Sequence, residues 1–524
     1  MTRTTRTIRN RWRAGGGLLA AATLVAATAA TAIAAPAQAG PVPRGTVQVS
    51  IGFNGAVPDG QSSSRGVSAD GRYALFTSWA TNLVEQPGKS WRDAFVTDLR
   101  TGRTERVNLS DSGEPLAGFT DYVAINANGR YVAFDSDAEG VVPGARVAGR
   151  DEVYVRDRWT GRTELISGSL ANTDTDQYHA SYAPSISADG RYVAFVSSRT
   201  DLDPTVVDTE PSLNRPYTWK YNVYLTDRRT HTTRLVSRDA NGKPGESLSL
   251  HPTISADGRT IGFSSLSQLL PEEQAPGLAA ASAAASASST ASADTELTPS
   301  AAEAARRSTP QGPAETVLSH PTSAVYYTYD VRSGKLTPVS AGLDGTLGYS
   351  SFDATISPDG RRAIYTLPEP GGSTSGHRYH TVLHVRDLRT GTVTKVSGGL
   401  PGTSSVGSSD HGAITADNRW VYFESAADNL VPGPQHPGWD VYRQDLRTGR
   451  TERVSTAPDG SLGNGSSTAP FVDAAGRAVV FGSTSGNLVA GTDAPPTENS
   501  QAFAAFVGRH RGGGGDDQGE NEDG

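Results

Sequence analysis

The sequence predicts an all-β fold, a seven-bladed β-propeller of four-stranded antiparallel blades. Three observations carry this prediction. A hairpin motif occurs seven times, its copies are evenly spaced, and a stretch near the start reads like the strand that the seventh copy lacks.

The motif is clearest in SADGRYVAF, Ser187 to Phe195. Its other copies begin at Ser68, Asn126, Ser255, Ser357, Thr415 and Asp473. Asp-Gly between two strand-like runs lets the glycine take a positive φ and closes a two-residue hairpin. Asn418 replaces that glycine in the sixth copy, and Asn is the next most tolerant residue there. A second hairpin follows in each unit, clearest in DVYRQDLRTGRTERVS, Asp440 to Ser455. Asp98, Asp387 and Asp445 recur at one place in these second turns, so they are expected to cap the turn by accepting backbone N–H groups. Two hairpins make four strands per unit.

Successive motifs start 58, 61, 68, 102, 58 and 58 residues apart. The long step holds an Ala/Ser-rich insertion of roughly 40 residues, about 275–316, and removing it restores the period of radially repeated blades. The runs RYVAF and NVYL are apolar on both faces of the alternation, as a blade packed between two neighbours requires. The seventh unit has three candidate strands, whereas Thr46 to Gly60 resembles a fourth-strand ending placed at the other end of the chain. The last blade is therefore predicted to be closed by the N-terminal strand, which removes open sheet edges.

Residues 1–39 read as a cleaved signal peptide: five arginines, an apolar run from Leu18 to Ala35, and Ala37-Gln38-Ala39 before Gly40. The expected location is extracellular, with a mature propeller over 46–511 and an acidic, unstructured tail at 512–524. The chain has no cysteine, so the fold must stand without disulfides. The formal charge is −8, and no local basic cluster follows the signal region, which argues against nucleic acid. The mature chain holds no second long apolar run, so no membrane span is expected, and a monomer is the expected state.

These repeats resemble the TolB-type β-propeller family over about Thr46 to Arg511. The resemblance implies the fold and leaves activity open, because that family includes interaction propellers, propellers attached to peptidases, and a metal-dependent pectate-fragment lyase.

In a propeller the loops between blades surround the channel mouth on the face opposite the hairpin turns. Counting four residues back from each motif start gives Ser64, Tyr122, Ala183, His251, Asp353, His411 and Ala469 at that mouth, with Tyr182 and Asp410 one place earlier in their blades. Tyr122, Tyr182, His251, Asp353, Asp410 and His411 are the candidate binding residues. His251, Asp353 and His411 come from three consecutive blades and form a conceivable ligand set for a divalent transition metal. The lyase resemblance implies a richer histidine cluster than this. The long third-blade loop adds Arg215, Tyr217, Trp219 and Tyr221, aromatics beside acids such as Asp201 and Asp203 that suit a sugar or protein partner.

The sequence has no Gly-x-Ser-x-Gly elbow and no His-Glu-x-x-His. The loops also lack the alternating oxygen ligands that calcium requires, so no cofactor is predicted. His384 stands where other blades have a core tyrosine and is expected to pack. The resulting expectation is an exported, non-catalytic scaffold that binds an envelope protein or glycan through its loop face. The alternative is a metal-dependent polysaccharide lyase or hydrolase at the channel mouth.

Overall fold

The computed structural model describes residues 45–88, 91–143, 150–168, 179–199, 201–205, 220–271, 324–348, 350, 353–370, 379–401, 403, 407–435, 437–492 and 494–508. The expected signal peptide, Ala/Ser insertion and acidic tail lie outside them, as do Arg215, Tyr217 and Trp219. Among the described residues, twenty-eight strands form seven antiparallel sheets of four. The protein is a seven-bladed β-propeller, and consecutive blades pack side by side, with the seventh against the first. We number the blades from Ser62. Blade 1 holds Ser62–Val67, Tyr73–Ser78, Asp93–Asp98 and Arg103–Arg106, the first of these lining the channel.

Blade 7 combines Ser467–Val472, Ala478–Ser483 and Gln501–Phe506 with Gly45–Gln48. The upstream strand pairs antiparallel from Gly45 opposite Phe506 to Gln48 opposite Phe503. Blade 1 is tied to the same sheet where Ser64 Oγ donates to the Ala469 carbonyl at 2.8 Å.

The core lies between blades. The three central residues of the second strand are inaccessible in most blades, such as Ala74, Leu75 and Phe76 in blade 1. Each blade stacks one ring of its second strand on one of its third, at centroid distances from 5.5 Å for Phe134 and Tyr154 to 6.1 Å for Phe481 and Phe503. In blade 5 His384 takes this place, stacked 14° from parallel on Tyr365 with Nδ1 2.9 Å from the Val382 carbonyl. Burial pushes its pKa below the ordinary histidine value, so it packs as a neutral ring. Five blades also join their two inner strands through a buried serine pair, for instance Ser181 and Ser197 at 2.8 Å.

The turns are held by one repeated device. Ser68 Oγ donates to Asp70 at 2.5 Å and accepts the Tyr73 N–H at 2.9 Å. Arg72 then forks onto Asp98 of the second turn (3.0 and 2.7 Å), and Asp98 accepts the Arg100 N–H at 2.9 Å. Asp387 and Asp445 cap their turns in the same way.

The turn glycine also touches the preceding blade. A Cβ on Gly129 would stand 2.3 Å from the Tyr73 ring, and one on Gly190 would stand 2.3 Å from Tyr131. Asn418 escapes this restriction because the preceding blade presents Arg362 in place of a tyrosine. Its φ is +58°, and its Nδ2 donates to Asp359 of that blade at 2.7 Å.

Candidate functional site at the channel mouth

The innermost strands carry a β-bulge at a fixed place, two to three residues before the strand ends. Pairing slips between Tyr182 and Ser185, Leu250 and Thr253, Asp410 and Ala413, and Thr468 and Phe471. At these bulges Ala183, His251, His411 and Ala469 have φ of 50–53°, a left-handed conformation that side-chain-bearing residues adopt only under constraint. These are four of the seven positions counted back from the turn. In blades 2 and 5 the inner strand is cut to Val123–Ile125 and Thr355–Ile356, so Tyr122 and Asp353 fall just before it.

Two clusters result, separated by blade 4. The first is aromatic. Tyr122 of blade 2 lies 5.8 Å from Tyr182 of blade 3, which meets the edge of Tyr221 at 5.3 Å. All three rings are half-buried, leaving part of each open. Behind them Asp135 accepts the backbone N–H groups of Asp121 and Tyr122, both at 2.9 Å. Burial, with repulsion from Asp121 and Asp151, raises the Asp135 pKa well above the usual carboxylate range. Arg92 stacks over Trp79 and pairs with Asp121 at 3.0 Å.

The second cluster is ionisable and spans blades 5 to 7. His411 Nδ1 lies 2.8 Å from Glu424 Oε1, and its Nε2 lies 3.8 Å from Asp353 Oδ1. Glu424 Oε2 accepts the Ala469 N–H of the next blade at 2.5 Å. Asp410 accepts from the Thr381 hydroxyl at 3.3 Å. Desolvation by itself would lower the His411 pKa, but Glu424 and Asp353 outweigh it and hold the pKa well above the ordinary value. Burial, with the charges of Asp353 and Glu424, pushes Asp410 well above its own. The His411 side chain remains 38 % exposed, so this cluster faces the channel. The raised pKa values favour the protonated forms of His411 and Asp410, so the cluster can both donate and accept hydrogen bonds.

The structure therefore unites His411 with Asp353 and adds Asp410 beside them. His251 occupies the equivalent bulge of blade 4. Among the described residues no group of three or more His, Asp or Glu is arranged to hold a metal ion. Asp201 and Asp203, read as loop acids, are structural: Asp201 receives a two-pronged contact from the buried Arg199 at 3.0 Å, and Asp203 accepts the Leu235 N–H at 2.8 Å.

Sequence reasoning missed Asp135 and Glu424. Both are the fifth residue of a second strand, where the other blades have Thr77, Val196, Ser264, Thr366 and Gly482. Two acids in an otherwise neutral column were the available signal.

No family model and no curated protein matches the chain. Solved structures do resemble it. An oligogalacturonate lyase from Vibrio parahaemolyticus is 11 % identical, with a TM-score of 0.43 over 89 % of this chain and 99 % of its own. The β-propeller domain of the Trilobed protease from Pyrococcus furiosus, described as having an open velcro topology, is 11 % identical with a TM-score of 0.42 over 85 % and 92 %. TolB from Acinetobacter baumannii is 13 % identical with a TM-score of 0.33 over 84 % and 81 %. At these values the function of this chain has to be argued from its own residues.

Proposed function

We propose that this protein is an exported, non-catalytic propeller that binds a cell-envelope glycan at its channel mouth. The supporting observation is the half-open platform of Tyr122, Tyr182 and Tyr221 across blades 2 and 3. Aromatic faces take the apolar face of a sugar ring. The His411 cluster beyond blade 4 supplies donors and acceptors for further hydroxyls. Affinity electrophoresis in gels containing envelope polysaccharide tests this. Retardation is expected for the parent chain, with affinity reduced about fivefold or more in Tyr182→Ala. Equal migration of the two chains, or retention only by envelope proteins in a pull-down, overturns the glycan reading.

One observation favours a second reading, a polysaccharide lyase or hydrolase. The Asp410 pKa is raised by burial and by neighbouring acids beside a half-open channel, and a carboxyl biased towards its protonated form suits a general acid. New chain ends appearing on incubation with polysaccharide, lost in Asp410→Asn, would establish it. Stoichiometric divalent metal abolished by His251→Ala would establish its metal-dependent form.

A further inference from the structure

The face opposite the mouth carries the opposite charge. Its thirteen hairpin turns, seven first turns and six second turns, contain eighteen basic residues and twelve aspartates, a surplus of six positive charges in a chain whose net charge is −8. Seventeen of the eighteen are arginine. The second turns alone hold eleven cations against six aspartates, and five of the six turns carry two cations each.

Ion pairs take up part of this surplus, since Arg158, Arg162, Arg228 and Arg450 meet Glu105, Asp111, Glu164 and Glu452 outside the turns, and they leave a defined set of arginines exposed. Asp98, Asp157, Asp227 and Asp445 of the second turns are each forked by the arginine of the first turn, Arg72, Arg130, Arg191 and Arg419 respectively. The same aspartates accept turn N–H groups. Their negative charge is thus taken up inside the blade. Arg100, Arg103, Arg229, Arg332, Arg389 and Arg447 remain exposed around the rim. Between blades 2 and 3 the face also sinks into a recess of about 440 Å3. Arg191, Arg228 and Arg229 wall it together with Tyr131 and Gly190, and Glu164 and Asp189 are the acids present.

We infer that the turn face is a docking surface for a linear phosphate polymer. Two neighbouring guanidinium groups on one turn can share a tetrahedral phosphate, which offers several acceptor oxygens, whereas a carboxylate is satisfied by one fork. Charges spread over six blades engage a polymer far better than a single ion, because each added contact releases further counterions.

Long-chain inorganic polyphosphate is the probe, titrated against the full chain at about 50 and 200 mM salt. Binding is expected, and it should weaken at least tenfold at the higher salt. The variant combining Arg100→Glu, Arg332→Glu and Arg447→Glu should lose at least tenfold in affinity with an unchanged melting temperature. Tyr182→Ala should bind polyphosphate like the parent, which separates this surface from the glycan site. Three outcomes overturn the inference: no salt-dependent binding, parental affinity in the folded triple variant, or equal affinity for poly-L-glutamate of matched charge.

Discussion

The two faces of the ring are built from one repeat yet follow opposite rules. On the turn face the repeat is largely kept: the Ser-x-Asp-Gly-Arg hairpin and the fork to the second-turn aspartate each occur in four blades, and the glycine laid on a neighbouring tyrosine occurs in three. At the mouth it is broken, because the bulge is shared while the residue it displays changes from Ala183 to His251 to His411. On the first face the turn aspartates are satisfied by arginines and backbone N–H groups of their own blade. On the second, charges crowd at the cost of shifted protonation. Repetition marks where the scaffold is held, and its breakdown marks the proposed glycan site.

The contrast can be broken most strongly at a turn glycine. Gly190→Val drives a side chain into the Tyr131 ring at a φ of +75°, and should destabilise the protein by about 3 kcal/mol in denaturant titration. Asn418→Gly at the equivalent turn should cost less than about 1 kcal/mol, since only the bond to Asp359 is lost. Similar losses at both positions would refute the role given to the tyrosine.

At the mouth, Glu424→Gln removes the carboxylate that holds His411 charged. A loss of about 1–2 kcal/mol is expected near neutral pH, discounted because His411 is 38 % exposed. The pH dependence should change with it. A folded pKa raised above the unfolded value contributes stability that is complete below the unfolded value, about 6.5, and is lost as pH rises through the folded value. The parent should therefore lose stability on alkalinisation from near neutrality, and Glu424→Gln should flatten that slope in melting curves. A slope unchanged by the substitution assigns it to other groups.

The turn face should respond in the opposite direction. Asp157 is held down to about 2 because the Arg130 fork and the turn N–H bonds overcome burial. Its contribution is present above the unfolded value near 3.9 and disappears as pH falls towards 2. Arg130→Ala should give the smallest effect of the set, a slight loss of stability above about pH 4 that fades as pH falls towards 2 and that high salt conceals.

Much of the turn face was legible in the sequence because turn chemistry is local. Asp-Gly, the capping aspartates and the period of about 58–61 residues are set by residues adjacent along the chain; the number of motif copies matched the blade number, and the fourth-strand likeness of Thr46 to Gly60 pointed to the donated strand. The mouth was half legible. Counting back from the turn reached the bulge positions, because the bulge keeps a fixed register, and it grouped Asp353 and His411 with His251. Glu424 and Asp135 escaped because they sit within strands read as apolar runs, and their effect depends on bonds across to a neighbouring strand or blade. The basic face escaped for a related reason: its arginines are dispersed along the sequence at blade intervals, and only the closed ring collects them.

The donated strand has one more consequence. Gly45 meets Phe506 across a gap in sequence as long as the ring itself, so this pairing carries the largest loop-closure cost in the fold and is expected late. Until then Gln501–Phe506, reading QAFAAF, presents a bare apolar margin of the kind that recruits other chains into aggregates. Four residues, Gly45 to Gln48, therefore act as the protein's own sheath against self-association, and a cut downstream of them would be felt first as insolubility rather than as lost binding.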